Sequence, residues 1–447
     1  MLLKNQTPQK MSRITFIYMF LLIAIPISSF GQDSLTLKTC LSIGLENNYS
    51  LQITQNDEVI TQNNLNFAKY AFFPTVDATG RKTNSVVNSR QEFASGGIQE
   101  KDNAKSNSLT GAISLNWTVF DGFGMFVGFD KMKELSELGK LNTRMTIENL
   151  TAQIASGYYN LIQQTQILQS LHHGMKLSSE RLAIASEKYK IGSFSKLEFL
   201  QAQVDFNTDS SQYLRQEETV ATTRLQLSRV LAYSLTVPPS WNDSISVSSN
   251  LVFENLYGQM IQKNTSLLIA KQNQYLSNLD VKMIRSRFYP TLTLNGGYNF
   301  TNAESQSGFL FTNRTLGYTY GATLTYGLFN RLDNHRQMKN AIITRQNQDL
   351  EFENLQQEII SEFNIIWNNY TYNLRLLSLE TQNLESAREN MDIAMAKYRL
   401  GGLAGIEMRE IQKNFLDANN RFINAKYLAK IAEITLKQIS GSIEEYY

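Results

Sequence analysis

The chain has 447 residues, with 42 Lys and Arg against 40 Asp and Glu, and a single cysteine, Cys40. A formal charge of +2 excludes the strongly basic surface of a typical nucleic-acid-binding protein, and one cysteine excludes an intrachain disulfide. A length of this size would predict two or three ordinary domains, but the repeats described below predict two halves of one body.

Residues 1–31 have the pattern of a secretory signal peptide. Arg13 precedes an apolar run over residues 14–27, and small residues fill the −3 and −1 positions before a cleavage site at Gln32. We therefore expect the protein to be exported. A membrane anchor is the alternative, although the run is shorter than the roughly 20 residues that a spanning helix needs.

Two short motifs occur twice. A Phe-aromatic-Pro-Thr motif at residues 72–75 returns at 288–291, and a Lys-Tyr-x-x-Gly motif at 188–192 returns at 397–401. Repetition of this kind indicates an internal duplication and two halves of one architecture. The predicted organisation is a first repeat over residues 32–237, a linker over 238–250 and a second repeat over 251–447.

Alternating hydrophobicity follows each Phe-aromatic-Pro-Thr motif. Residues 109–119, 291–300 and 316–328 alternate apolar or Gly positions with small or polar ones, and residues 76–81 do so more weakly. This period of two predicts β-strands with one apolar, aromatic face and one polar face. We predict strand pairs at about 75–120 and about 291–329, with the polar stretches 84–108 and 302–314 as surface loops.

The strands have features of a membrane barrel. Their predicted lengths are near the 9–11 residues that cross a tilted path through a bilayer, and their Tyr and Trp content suits interfacial girdles. Four strands cannot close a barrel, and an open sheet edge in lipid leaves backbone groups unsatisfied. The pattern therefore predicts a barrel shared between chains. A half-buried antiparallel sheet in a soluble domain remains the alternative.

Helical periodicity dominates the rest of the chain. Neither residues 123–189 nor residues 332–398 contain proline, and apolar residues from Phe352 to Tyr398 keep the three-four spacing of a coiled coil. We predict long helix hairpins over about 123–232 and about 332–440. Each long helix of about 67 residues would extend about 100 Å. Helices over about 50–72 and about 266–288 are predicted to precede the strand pairs.

These features resemble the TolC family of outer-membrane efflux channels. The resemblance lies in the duplicated helix–hairpin–helix order, the Phe-aromatic-Pro before a strand, and the glycine turns six residues before Glu198 and Glu407. It implies a mainly α fold with a transmembrane β part. Three chains would form one twelve-stranded barrel in the outer membrane and a long coiled-coil α-helical barrel in the periplasm.

The resemblance also implies a function. The chain would form a homotrimer in the cell outer membrane, in contact with its lipid and with a large periplasmic portion. It would be the passive exit duct of a tripartite efflux or type I secretion system, bound to a periplasmic adaptor and, through it, to an inner-membrane pump. A structural coiled-coil protein of the periplasm, without a membrane-embedded barrel, is the alternative.

The sequence contains no recognisable catalytic constellation. His172 and His173 are adjacent on a predicted helix and point about 100° apart, whereas a helical metal pair needs a spacing of four. The glycine-rich run at 401–405 follows a helix and not a strand, which argues against a phosphate-binding loop. We expect no enzyme activity, no metal, no cofactor and no nucleic-acid partner.

The glycine turns are the first candidate functional site. They lie at the far end of a body about 100 Å long, and by resemblance these tips would dock the helical hairpins of a periplasmic adaptor. A simple reversal of the helix is the alternative reading. The predicted docking residues are Tyr189, Gly192, Ser193, Phe194, Tyr398, Gly401, Gly402 and Leu403.

An acidic periplasmic aperture is the second candidate site, built from Glu198, Glu407 and Glu410. A three-fold axis would gather nine carboxylates there, and by resemblance Glu407 and Glu410 match acidic entrance positions. By the same resemblance Tyr398 matches a tyrosine that helps to hold the entrance closed. Leu403 departs from the family, because some members carry a basic locking residue there; Lys196 is a candidate substitute. Charges on a solvated helix face are the alternative.

Overall fold

The computed structural model describes residues 35–235, 244–308 and 310–446. The predicted signal peptide and the first part of the predicted linker lie outside the described residues. The first repeat contains α1 (Leu37–Asn47), α2 (Tyr49–Ala68), a 3-10 turn (Lys69–Phe72), β1 (Thr75–Glu92), β2 (Ile98–Phe120), α3 (Gly124–Lys190) and α4 (Lys196–Leu231). The second contains α5 (Phe253–Lys263), α6 (Thr265–Ser286), β3 (Thr291–Ser305), β4 (Thr312–Thr325), α7 (Asp333–Arg399), α8 (Gly405–Ile439) and a closing 3-10 turn (Ile443–Tyr446). The mainly helical, duplicated fold is confirmed.

Equivalent asparagines begin a helix in each repeat. The side chain of Asn48 accepts a hydrogen bond from the amide of Leu51, and that of Asn264 accepts one from the amide of Leu267, both at 3.1 Å. Such N-caps satisfy amides that the first helical turn leaves free. Each asparagine also donates to a carbonyl near the end of its repeat's return helix, at 2.9 and 2.8 Å. The caps therefore fix α2 and α6 against α4 and α8.

The two long helices, α3 and α7, are 67 residues each, which corresponds to about 100 Å. Most of the predicted stripe on α7 is buried, including Phe363, Tyr370, Met395 and Tyr398. The buried side chains form two clusters around the short helices and a third near the far ends of α7 and α8. Among the described helices, none is long and apolar enough to span a membrane.

The four strands form one antiparallel sheet in the order β1-β2-β3-β4. One face is rich in Leu, Ile, Tyr and Trp, and the other in Thr, Ser and Asn. On the polar face Asn295 and Asn299 donate to the hydroxyls of Thr323 and Thr319, at 2.9 and 3.0 Å. Because β1 and β4 are both edges of the sheet, the described part of one chain leaves two strand edges unpaired.

The prediction of loops at 84–108 and 302–314 is wrong for most of their length. β1 continues to Glu92 and β2 begins at Ile98, so that only residues 93–97 connect them. The extension has little apolar alternation because most of its side chains are exposed on both faces. Backbone pairing and cross-strand contacts such as the Arg90–Glu100 ion pair, 3.0 Å long, hold it instead.

A buried ion pair fixes the end of the chain to the helical body. Lys430 and Glu433, 4% and 1% exposed, pair at 2.9 Å, and Glu433 also accepts from the amide of Ser248 at 2.9 Å and the hydroxyl of Tyr446 at 3.1 Å. The Lys430 ammonium also lies 5.1 Å from the ring centre of Tyr159. Helix α3, the linker and the closing 3-10 turn thus share one set of charge-assisted contacts around α8.

Candidate functional site at the helical tips

The two predicted tips have the same backbone geometry. Gly192 and Gly401 adopt left-handed conformations, with φ of 75° and 80°. Ser193 and Gly402 then donate their amides to the carbonyl five residues earlier, at 2.8 and 2.9 Å. A glycine in this conformation ends a helix without the steric cost that a Cβ would add. The duplication therefore extends to the hydrogen bonds of the turns.

The helices that leave the turns begin differently. Ser195 and Glu198 form a capping box at the start of α4, because Ser195 Oγ accepts from the Glu198 amide and Glu198 Oε2 accepts from the Ser195 amide, at 3.3 and 2.7 Å. The corresponding cap of α8 is Ala404, which has no side-chain acceptor. The carboxylate of Glu198 is thus engaged by its own helix.

Glu407 and Glu410 are both exposed in the first two turns of α8. Neither carboxylate has an ion pair within 4 Å among the described residues. The structure therefore leaves two of the three predicted aperture groups free for other partners, whereas the third is already hydrogen-bonded. Their arrangement around a common axis stays a prediction.

Lys188 contacts two of the predicted docking residues. Its ammonium lies 4.7 Å from the ring centre of Phe194 and 5.6 Å from that of Tyr398, which is 2% exposed. Burial raises the pKa of the Tyr398 hydroxyl. Leu403 packs against the apolar cluster that contains Tyr398. Tyr189 instead stacks on Phe199 with ring centres 5.6 Å apart.

Exposed aliphatic side chains at the tips were not among the named docking residues. Ile191 and Leu400 occupy equivalent places in the two turns and are 77% and 89% exposed; Leu197 and Ile406, also equivalent, are 75% and 79% exposed. Exposed apolar groups concentrated at one place commonly mark an interaction surface. Their repetition at one offset of 209 residues was visible in the sequence.

A buried polar network lies just inside the tips and joins the two repeats. Arg181, 2% exposed, donates to Gln412 Oε1 and to Asp205 Oδ2, both at 3.0 Å, and to the carbonyl of Gly405 at 3.2 Å. Arg181 is on α3, Asp205 on α4 and Gln412 on α8. One guanidinium therefore connects three helices.

The second half of this network is centred on Asp209 of α4, which is 4% exposed. Arg409 of α8 donates to both of its carboxylate oxygens, at 2.6 and 2.8 Å, and Gln412 donates to it at 3.2 Å. Ser178 of α3 donates a further short hydrogen bond. The bonded carboxylate raises the pKa of Arg409. We call Arg181, Asp205, Asp209, Arg409 and Gln412 the tip network.

Two of the three histidines contact aromatic rings beside the hairpins, and the third lies near the sheet. His172 lies against Tyr213 and His173 against Phe415, with ring centres 5.4 and 6.1 Å apart, and His335 lies against Phe288 at 5.1 Å. Each ring therefore packs as an aromatic side chain.

Comparison with known proteins decides the family. The model of the family described as outer membrane efflux protein matches residues 41–232 and 256–442, one match in each repeat. The chain belongs to the outer membrane efflux protein family. The predicted recognition is confirmed, and the protein is an efflux channel of the outer membrane with a large periplasmic portion. The family consists of channel proteins and not of enzymes.

Individual relatives of this efflux protein are distant in sequence and close in fold. Outer membrane protein TolC of Vibrio cholerae is 20% identical over 357 residues, covering 78% of this chain and 80% of the relative. Cation efflux system protein CusC of Escherichia coli is 20% identical over 324 residues, covering 70% of each. The solved CmeC outer membrane channel of Campylobacter jejuni superposes with a TM-score of 0.77 at 14% identity, covering 92% of this chain and 87% of that one.

Proposed function

We propose that three copies of this chain form one exit duct and that its helical tips dock a periplasmic adaptor linked to an inner-membrane pump. The observation that carries the proposal is the equivalence of the two tips. Both have the same glycine turn, and both expose two aliphatic side chains at matching positions. A surface that only reversed a helix would gain nothing from exposing them.

Assembly into a shared barrel follows from the free edges of the sheet. β1 and β4 are unpaired on their outer sides in one chain. In lipid, unpaired backbone groups are costly, and closure of the sheet removes them. Three copies of four strands give the twelve-stranded barrel that the family resemblance implies. Passive conduction through such a duct needs neither catalysis nor a cofactor.

We propose that Glu407 and Glu410 form the acidic ring of the periplasmic aperture, with Glu198 beside it as a capping residue. The free carboxylates of α8 support a role in attracting cations, because each lacks an ion pair of its own among the described residues. Glu198 has a structural role, since its carboxylate accepts a hydrogen bond from the Ser195 amide at the start of α4. The ring should therefore depend chiefly on the second repeat.

Site-directed crosslinking tests the docking proposal. Cysteines at Ser193 and Gly402 fit, because Ser193 is exposed and a Cβ at Gly402 would come no closer than 3.7 Å to another atom. We expect both to crosslink to an adaptor in intact cells. A cysteine at the exposed Thr222, far along α4, is the matched control and should not crosslink. Normal export without crosslinks from either tip would contradict adaptor docking there.

A further inference from the structure

One groove in the helical wall begins beside the tip network and runs toward the sheet. It has a volume of about 700 Å³, which lies within the range of about 300–1,000 Å³ for small-molecule sites. Its lining comes from within residues 166–177 of α3, residues 388–399 of α7 and residues 415–426 of α8. The groove is therefore complete within a single chain.

The end of the groove nearer the tips is apolar. Because α3 and α7 run toward the tips and α8 runs away from them, this end is lined by Leu177, Met395 and Phe415. Met395 and Phe415 are 6% and 8% exposed and form the floor. Arg399 also lies at this end, but its charge is matched by Glu180 of α3 at 2.6 Å. This half of the groove therefore fits an apolar group.

The opposite end carries two cations without carboxylate partners. Lys426 of α8 is half-buried, and its ammonium lies 5.7 Å from the ring centre of Phe422. Burial lowers the pKa of this ammonium. Neither Lys426 nor Arg388 of α7 has an ion pair within 4 Å among the described residues, although Asp392 lies one helical turn from Arg388. Since a desolvated charge without a partner is costly, a bound anion would stabilise Lys426.

A buried hydroxyl lies toward the same end. Ser170 of α3 lines the groove and is 5% exposed. Its Oγ has no hydrogen-bond partner in the part of the chain that the structure describes, whereas the hydroxyl of Thr165 on the same helix donates to the carbonyl of Leu161 at 2.7 Å. A serine hydroxyl rotates about a single bond, so it is free to donate into the groove. An ammonium, a guanidinium and a hydroxyl thus all lack an acceptor here.

We propose that this groove binds an amphipathic organic anion, with its acid group at Lys426, Arg388 and Ser170 and its apolar body over Met395 and Phe415. Donors of these three kinds favour the oxygens of a carboxylate, sulfonate or phosphate. An inorganic anion would leave the apolar half unused, and a neutral apolar molecule would leave the cations unpaired. Because the groove belongs to one chain, the proposal does not depend on adaptor docking or on the aperture.

Two dyes that differ only in an acid group test this site. Anilinonaphthalenesulfonate has a sulfonate on an apolar ring system, and phenylnaphthylamine has the same rings without the sulfonate. Fluorescence titration of the purified protein in lipid nanodiscs, corrected with empty nanodiscs, would give both affinities. We expect Lys426→Gln to weaken binding of the sulfonate dye about tenfold, because a half-buried charged hydrogen bond is lost. Arg388→Gln, at an exposed position, should weaken it about threefold.

Binding of the neutral dye should stay unchanged in both variants. Lys413→Gln is the matched control, because it removes a lysine from an exposed position of α8 that does not line the groove. It should bind both dyes as the unmodified protein does. Ser170→Ala should keep the fold, since its hydroxyl bonds nothing within the described residues, and should bind the sulfonate dye about threefold more weakly.

Two results would overturn the site. One is an unmodified protein that shows no saturable binding of the sulfonate dye. The other is equal binding of that dye by the Lys426→Gln and Lys413→Gln variants, with helical circular dichroism showing that both are folded. If Lys426→Gln fails to fold, the same comparison is made with Arg388→Gln, whose exposed side chain is not needed for packing.

Discussion

Arg409 binds both carboxylate oxygens of Asp209, and this pair joins the return helix of the second repeat to that of the first. The two residues are 200 positions apart, and Asp209 is almost fully buried. Removing one partner of a buried pair leaves an uncompensated charge, and typically costs about 3–5 kcal/mol. The pair is therefore a point at which a single substitution should weaken the whole tip.

The first prediction is that Asp209→Ala lowers the free energy of unfolding of the helical region by about 3 kcal/mol, the lower end of this range, because Asp205 remains 3.9 Å from Arg409. Loss of helical circular dichroism on titration with denaturant would measure it. The double variant Asp209→Leu/Arg409→Met should recover much of this loss, because neither charge then remains buried. An Asp209→Ala variant as stable as the unmodified protein would contradict the role assigned to the pair.

The second prediction concerns ion selectivity at the aperture. Glu407→Gln with Glu410→Gln should reduce the preference for cations, because two carboxylates about 6 Å apart interact by roughly 3 kcal/mol at an effective dielectric of 20. Reversal potentials across a planar bilayer, measured in a salt gradient, would detect the change. Glu198→Gln should alter selectivity less and leave the start of α4 intact, because the glutamine oxygen can also accept from the Ser195 amide and complete the capping box. Unchanged selectivity in the double variant would remove the proposed ring.

The third prediction separates the two faces of the sheet. Leu115→Arg or Leu324→Arg places a charge on the apolar face. Leu115→Arg, at mid-strand, should cost about 2–4 kcal/mol in the middle of a bilayer, and Leu324→Arg, near the end of β4, should cost less. Ser114→Arg and Thr323→Arg, one residue earlier, place the same side chain on the polar face and should be tolerated. Yields of folded trimer from outer membranes would compare the four. Equal assembly of all four would argue against a lipid-facing sheet.

The fourth prediction follows from buried tyrosines around Lys430 and Glu433. Burial and the Glu433 charge raise the pKa of Tyr159 to about 12 and also raise that of Tyr446. A tyrosine whose folded pKa exceeds its unfolded value of about 10 contributes stability below pH 10 that is lost as the pH rises toward the folded value. We therefore expect the free energy of unfolding to fall between about pH 10 and pH 12.

Substitution of the tyrosines tests that assignment. Tyr159→Phe and Tyr446→Phe should each flatten the alkaline part of the stability curve measured by denaturant titration. Tyr233→Phe, at a half-exposed position, is the control and should leave the curve unchanged. If the free energy of unfolding falls equally at high pH in all variants, groups other than Tyr159 and Tyr446 cause the loss of stability.

The sequence predicted the long helices well and other elements poorly, for physical reasons. A proline-free stretch with an apolar residue every three or four positions over many turns predicts a long helix. α7 accordingly ends at Arg399, next to the predicted end. The short helices α1 and α5, each of 11 residues, were missed because such lengths depend on tertiary contacts. The extension of the β1–β2 hairpin beyond residue 84 was not predicted, because a strand exposed to water on both faces does not need alternating apolar and polar residues.

The tip network could not be predicted from repetition. Asp205 and Asp209 correspond to Asn414 and Ala418 in the second repeat, and Arg409 corresponds to Leu200 in the first. The pairing residues thus differ between the repeats and are far apart in sequence. Spacing alone gave one hint, since Asp205 and Asp209 are four apart on one face of α4, but it did not identify their partners.

Equal length of α3 and α7 has a consequence for stoichiometry. Because both helices have 67 residues and end in the same turn, the two tips of one chain reach the same depth. Three chains would therefore offer six docking positions, one at each helical tip, at the same depth. These positions would be of two kinds: in one the helix that leaves the tip is capped by Ser195, and in the other it begins at Ala404 without a side-chain cap. A partner with a single kind of docking hairpin would bind the two kinds of position with different affinities. Complexes with three and with six bound hairpins should therefore form at different partner concentrations.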